Sequence, residues 1–397
     1  HCCWIEWTWR FIRIMSEINS SNFKKEHGDL APDLVGVTEL TSPYFFVPPS
    51  GDTASRPEDC EPGTLRFNTD VGSLEVFRGN TIGWEQIQRR DGQYLGGGTG
   101  SNTGTGTRLL IMGGNANPTN LNIIEFITVE TKGNSQDFGD LSQNFPFASD
   151  GACGSSVRAL TTGGVNDAID FVNILSTGNG TDFGDYHGDM QAGAVSNNIR
   201  GIFAGGYVSQ PSLTDTIEFV TIAQTGNAVD FGNLEASNRG MASFASTTRG
   251  VFAGGTTPAP AYTKKNEIQF VTIMTTGNTT DFGDIGTAKD FPAGASNATR
   301  GLIAGGRAPS ATNVIEFVTI ATTGNAIDFG DLIEATEEFS ASSSSREAVF
   351  VGGNDSPNIK NTIVFASFAT TGNAQDFGDL TAARYHASST SSGHGGL

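Results

Sequence analysis

Cysteine, histidine and positive charge are all scarce in this chain, and each scarcity closes off a class of function. The four cysteines are Cys2, Cys3, Cys60 and Cys153. Two are adjacent and two stand alone, so none falls at the spacing of a zinc site or a disulfide framework. The five histidines, His1, His27, His187, His386 and His394, are scattered, and no two sit at metal-ligand spacing. Lys and Arg number 23 against 42 Asp and Glu, a net charge of -19. Phosphate binding needs clustered cations, so no nucleic-acid partner is expected. Long apolar runs are missing too, so no membrane span is expected.

Glycine, by contrast, is abundant at 52 residues, and its placement is periodic. Gly-Gly recurs at 113, 163, 205, 254, 305 and 352, and Asp-Phe-Gly at 137, 182, 230, 281, 328 and 376. A repeat of this length marks a solenoid or a propeller. The clearest unit runs from Arg200: R-G-I-F-A-G-G, a variable loop, T-I-E-F-V-T-I-A, then Q-T-G-N-A-V-D-F-G. I-F-A reads as a short strand, and the glycines after it let the chain turn at positive φ. I-E-F-V-T-I-A is β-branched and apolar on both faces, with Ile217 and Phe219 on one and Val220 and Ile222 on the other. A strand covered on both sides looks like that. T-G-N is a tight turn and A-V-D-F-G a short outer strand. Runs of small residues such as A-S-F-A-S-T precede each unit and suit an inner strand crowded around an axis.

Four strands per repeat and a Gly-Gly pair resemble the kelch repeat of β-propellers, over residues 107–397. The outer-strand Trp usual in kelch repeats is replaced by the Phe of D-F-G. The implied fold is all-β: a six-bladed kelch-like β-propeller preceded by a small β-hairpin module and an extended N-terminal arm. The segment R-L-L-I-M-G-G at 108–114 lacks an inner strand before it, and Y-H-A-S-S-T-S-S at the C-terminal end lacks anything after it. The C-terminal strand is therefore expected to pair with 108–112 and close the ring.

The remainder divides into four parts. Residues 1–14, HCCWIEWTWRFIRI, are an atypical extension, read either as lying upstream of the true start at Met15 or as an amphipathic anchor. Residues 15–62 are a polar, proline-containing arm. Residues 63–92 hold the hairpin T-L-R-F-N and S-L-E-V-F, turning at Thr69-Asp70-Val71-Gly72, with Trp84 packed over it. Residues 93–106 are a Gly/Thr linker by composition.

G-T-L-R-F-N-T-D, followed by L-E-V-F and a Trp, resembles a short module of tailed-bacteriophage fibre and other virion proteins. The repeat T-T-G-N-A-x-D-F-G-D-L with R-G-x-F-A-G-G resembles structural proteins of marine cyanobacterial phages. These resemblances imply a virion-surface protein: a tail fibre, tail tip or capsid decoration. It would be held by its N-terminal region to other virion proteins, possess a homo-oligomeric state such as a trimer, and bind a host-surface glycan or protein. A bacterial cell-surface lectin or adhesin is the alternative, and a propeller enzyme a third.

Catalytic signals are weak. D-F-G occurs six times without a His-Arg-Asp loop, so it is a repeat element rather than a kinase motif. The carboxylate pairs at 137/140, 182/185, 281/284, 328/331 and 376/379 offer too few oxygens for calcium by themselves. No enzyme, metal or cofactor is therefore expected. Binding is expected in the loops between second and third strands, which differ in every copy while T-G-N hardly varies. Tyr207, Tyr262, Lys264, Lys265, Arg307 and Lys360 are the loop residues suited to contact a glycan or protein, although the same variation would arise from unselected drift.

Overall fold

The computed structural model describes residues 48–397 apart from 58–59, 71–72, 81–82, 87–105, 149–150, 165–166 and 189. The N-terminal extension, most of the arm, two residues of the predicted hairpin turn and nearly all of the linker lie outside the described residues. The chain separates into two compact units, 1–87 and 88–397.

In the first unit, Leu65–Asn68 and Ser73–Phe77 pair antiparallel as a hairpin. Trp84–Gln86 adds a third strand against Ser73–Phe77, and Ser50–Gly51 adds a short parallel one against Leu65–Asn68. Trp84 is thus a strand residue, with its ring 5.5 Å from that of Phe77. Beneath the sheet, the fully buried Glu75 carboxylate accepts from Arg56 Nε at 3.2 Å and Asn68 Nδ2 at 2.9 Å.

The second unit holds, among the described residues, six four-stranded antiparallel sheets, the arrangement of propeller-like blades. The first sheet is Ala152–Gly154, Arg158–Thr161, Ala168–Asn173 and Thr181–Asp185. The second to fifth sheets repeat this plan over 193–233, 242–284, 293–331 and 340–379. The sixth joins the two ends of the unit: Ser388–Ser391 pairs with Arg108–Met112, followed by Ile123–Thr128 and Gln136–Asp140.

The inner strands neighbour one another in cyclic order, and their small residues make this possible. Ser196 Oγ donates to Gly154 O at 2.8 Å, Ser296 Oγ to Ala245 O at 2.7 Å, and Ser343 Oγ to Ser296 O at 2.6 Å. Ser391 Oγ donates to Ser343 O at 2.5 Å, and the hydroxyls of Ser388 and Thr161 are 2.6 Å apart. Each serine is thus small enough for the crowded centre and satisfies its own polar group there. A cavity of about 40 Å³ remains at the centre. The half-buried His394 closes on it, its Nε2 lying 3.0 Å from Gly154 O.

The repeat motif D-F-G has a single structural explanation. The ladder between third and outer strands is bulged at the same place in every sheet, as where Ile124 faces Gly139 and Glu125 faces Asp137. The skipped residue is the Phe. A bulge turns one side chain inward and frees its backbone from the ladder. Phe138 accordingly packs edge-on against Phe126 at 6.0 Å, and the other five sheets repeat the pair. Its freed carbonyl faces the next sheet, where the Gly of T-G-N donates to it.

That contact recurs around the unit. The N–H groups of Gly178, Gly226, Gly277, Gly324, Gly372 and Gly133 donate to Phe138, Phe183, Phe231, Phe282, Phe329 and Phe377 at 2.7–2.9 Å. The adjacent Asn returns a bond, as where Asp140 N–H donates to Asn179 Oδ1 at 3.1 Å. The last pair, Gly133 to Phe377, joins the two ends of the unit a second time. The D-F-G glycine is required because the two backbones touch: a Cβ on Gly139, at φ 150°, would lie 2.4 Å from Gly178 O.

A second contact between sheets uses the Arg that opens each second strand. Arg200 lies over the Phe219 ring at 4.0 Å and donates to Ile273 O in the next sheet at 2.9 Å. Arg108, Arg158, Arg249 and Arg300 do the same. The fifth sheet has Glu347 at this position. Lys132 of the sixth sheet's T-K-G-N turn takes over: its Nζ sits 3.8 Å from the centre of the Phe365 ring, donates to Val129 O at 3.1 Å and pairs with Glu347. A cation thus occupies the equivalent place, supplied from the other side of the interface.

Three outcomes are expected from equilibrium chemical denaturation. Gly139→Ala lowers stability by about 1–3 kcal/mol, because its φ is open almost only to glycine. Gly178→Ala, in the same contact but with open space around its Cβ, costs less than about 1 kcal/mol. Lys132→Thr, which leaves Glu347 facing Phe365, costs about 1–2 kcal/mol, and adding Glu347→Arg recovers most of it; double-mutant additivity would show that the two sites are independent.

Candidate ligand-binding face

The loops that differ between repeats all begin at the Gly-Gly pair, and the sheet's own inner connection fixes where they start. Gly205 and Gly206 both have positive φ, and a Cβ on Gly206 would lie 2.7 Å from Met190 O. The close approach lets Tyr207 N–H donate to Met190 O at 2.9 Å. Reciprocal backbone pairs tie Arg307 to Asp290, Thr256 to Arg239, Asn354 to Glu337 and Asn115 to Tyr385. Each variable loop is therefore anchored to a connection that enters an inner strand.

The connections are tied to one another by backbone in turn. Gln191 donates to Phe147 O, Gly240 to Gln191 O, Phe291 to Gly240 O, Glu338 to Phe291 O and His386 to Glu338 O, at 2.8–3.4 Å. Gln191, Phe291, Glu338 and His386 adopt φ of 54–59° to do so, a conformation that costs a residue with a side chain about 1 kcal/mol or more. His386 lies at the meeting point, with its ring 5.4 Å from Phe147, 5.5 Å from Phe291 and 5.0 Å from Tyr385.

Around this hub the structure assembles a polar and aromatic cluster. Asp290, buried, receives Arg307 in bidentate fashion at 3.2 and 2.9 Å and Lys264 Nζ at 3.1 Å. Lys264 also donates to Arg307 O at 2.8 Å. The Arg307 guanidinium lies 5.5 Å from the Phe291 ring. On the other side, Arg239 lies between Phe291 at 5.2 Å, Tyr207 at 5.0 Å and Tyr262 at 6.0 Å, and donates to Gln191 Oε1 at 2.5 Å.

Of the six loop residues singled out in the sequence, four therefore meet: Tyr207, Tyr262, Lys264 and Arg307. Tyr207 is buried, while Tyr262 is half exposed. Lys265 pairs with Glu267 at 2.9 Å within its own strand entry, and Lys360 runs under its loop to Glu334 at 3.1 Å and Thr336 Oγ1 at 3.0 Å. Neither contacts the cluster's aromatic groups. Sequence reasoning missed Arg239, Asp290, Phe291 and Glu337. The signal was present: the residues just before each inner strand differ in every copy of an otherwise regular repeat.

The electrostatics separate saturated groups from available ones. Arg307 and Lys264 share the Asp290 carboxylate, and that contact holds the Arg307 guanidinium above its usual range. Arg239 Nε and Glu337 Oε2 are buried without a hydrogen-bond partner. Glu337 Oε2 is 3.3 Å from Arg307 Nε, near enough for charge attraction, but that nitrogen's one proton goes to Asp290. Burial, opposed by Arg307 and reinforced by Glu338 and Asp290, pushes the Glu337 carboxyl up to about 6. The arrangement presents one exposed ring, Tyr262, above a stacked guanidinium and a carboxyl that each keep one buried atom without a hydrogen-bond partner.

Among the described residues, no three His, Cys, Asp or Glu side chains are grouped to hold a metal ion. The buried Cys153 thiol is pushed up to about 12 by desolvation and so stays protonated. No described helix is long and apolar enough to cross a membrane. No protein-family model and no curated protein matches the sequence.

Burial pushes the His386 imidazole down to about 4, with Glu338 opposing and Arg239 and Arg307 reinforcing; His394 is likewise pushed to about 4 by burial. The unfolded chain binds these protons near the ordinary 6.5 and the native chain does not. Stability is therefore full above pH 6.5 and is lost progressively as pH falls to about 4. Each histidine contributes up to about 3 kcal/mol to that loss. Denaturation measured from pH 7 to 4 is expected to show a shallower fall for His386→Gln than for the native chain; equal slopes would show that His386 is not held neutral.

Proposed function

We propose that residues 107–397 form a six-bladed, kelch-like β-propeller, and that the protein is a structural component of a tailed-bacteriophage virion. In this reading the first unit attaches to other virion proteins, in a fibre, tail tip or capsid decoration. The propeller presents its variable-loop face to a host-surface glycan or protein. Support for the architecture comes from six four-stranded sheets whose inner strands neighbour one another in cyclic order. Support for the virion role comes from the resemblance of the hairpin module and of the repeat to phage structural proteins.

The observation that carries the binding reading is the Arg239 cluster. Flat aromatic groups beside a planar cation suit sugar rings and extended peptides alike, since both offer an apolar face edged by hydroxyls or amides. The frame beneath is tied together by backbone hydrogen bonds, which lowers the ordering cost that opposes binding.

Binding of the full chain to host cells is expected to weaken about tenfold for Tyr262→Ala and for Arg239→Ala, with unfolding temperatures close to that of the native chain. Undiminished binding by both would remove the loop face from the reading. Antibody to residues 107–397 is expected to label phage particles at the tail or capsid; label on bacterial envelopes alone would favour an adhesin.

A further inference from the structure

The contacts between sheets break their pattern at one further place, and there the break leaves space. The third residue of each third strand is Glu125, Asp170, Glu218, Gln269 or Glu316 in five sheets and Val364 in the fifth sheet. In four of the five polar cases this side chain crosses to the preceding sheet and accepts the N–H that follows its outer strand. Ser142 donates to Asp170 at 2.6 Å, His187 to Glu218 at 2.6 Å, Glu235 to Gln269 at 2.9 Å and Gly286 to Glu316 at 2.6 Å. At Glu125 the donor is the side chain of Thr381 instead.

Two of these interfaces also fill the space with a cation three residues further on. Lys289 reaches Glu316 at 2.9 Å and Arg384 reaches Glu125 at 2.6 Å, both cations buried. Between the fourth and fifth sheets the corresponding residues are Ile333 for the donor, Thr336 for the cation and Val364 for the acid. Both long side chains are replaced by short ones. A cavity of about 200 Å³ lies there, walled by Leu332, Thr336, Phe339, Phe350 and Val364. Ile333 N–H has no hydrogen-bond acceptor among the described residues.

We propose that this cavity binds a small neutral molecule: a monocyclic body carrying one carbonyl acceptor, such as an aromatic amide or ketone. The size follows from the volume, since a cavity of about 150 Å³ lined by apolar side chains accepts a benzene ring. The acceptor follows from Ile333 N–H, which takes a side-chain oxygen at the four equivalent positions. The neutral charge follows from the apolar walls, which would desolvate a carboxylate, and from Asp376, which also lines the cavity and repels one, whereas Glu334 is paired with Lys360. This site is distinct from the loop-face cluster and does not depend on the binding proposed there.

The probe is benzamide, titrated into the full chain by calorimetry and by thermal unfolding. Saturable binding at one site per chain is expected, with millimolar or somewhat tighter affinity, together with a rise in unfolding temperature. Benzoate is expected to bind about tenfold more weakly. The double substitution Thr336→Lys with Val364→Glu copies Lys289 and Glu316, fills the cavity from the chain itself and is expected to abolish the benzamide response. Val364→Met, which narrows the cavity without adding charge, is expected to weaken it and serves if the double variant does not fold. Absence of saturable benzamide binding, its survival in the cavity-filling variant that folds, or equal affinity for benzoate would each overturn the proposal.

Discussion

One hydrogen bond, repeated around the second unit, governs the rest of its architecture: a T-G-N glycine N–H to the carbonyl of a bulged Phe in the preceding sheet. A four-stranded sheet of this size cannot bury both its faces alone. The bulge solves two problems together. It drives the Phe ring inward against a second Phe, and it turns the Phe carbonyl away from its own ladder toward the neighbouring sheet. The Asn and the residue after the turn complete the contact with backbone partners. A pattern that resembles a catalytic triplet in sequence is thus a device for joining sheets.

The exceptions to the repeat are informative because the backbone contact has none. Where Glu347 replaces the Arg of the other sheets, Lys132 supplies a cation to the same aromatic face from the opposite side. The requirement is a cation over the ring with a carbonyl to receive its proton, and the chain meets it from whichever side is available. Where Val364 replaces the acid, Lys360 bonds Thr336 and Glu334 but a cavity remains. Replacing both long partners by apolar ones avoids an unpaired buried charge, which would cost more than the lost contact. That explains why the fold tolerates the change without explaining why the space was left open.

Much of this was legible in the sequence. The Gly-Gly and D-F-G series announced repeated four-stranded units, and the unmatched segments at 108–114 and 385–392 correspond to the sheet formed by Ser388–Ser391 with Arg108–Met112. The third strand's two apolar faces matched burial of Ile217 and Val220. What the sequence did not disclose depends on register. Whether Phe of D-F-G is a ladder residue or a bulge changes which way it points, and a one-residue shift leaves composition untouched. The cluster was half legible for a similar reason: Tyr262 and Lys264 stand out in a loop, whereas Arg239 and Asp290 become neighbours only when separate connections meet.

The division of labour between backbone and side chain follows from this geometry. Neighbouring sheets are held by main-chain bonds, and the connections at the hub are held by main-chain bonds as well. Side chains at the hub are therefore not needed to hold one sheet to the next, and they are free to differ at each position. Phe147, Gln191, Gly240, Phe291, Glu338 and His386 occupy equivalent places with no shared chemistry. A frame that constrains backbone and releases side chains can change what it recognises without refolding. The exception is the hub histidine, because an uncharged imidazole surrounded by rings must stay uncharged. Protonation of His386 is therefore expected to weaken the same face that carries the Arg239 cluster.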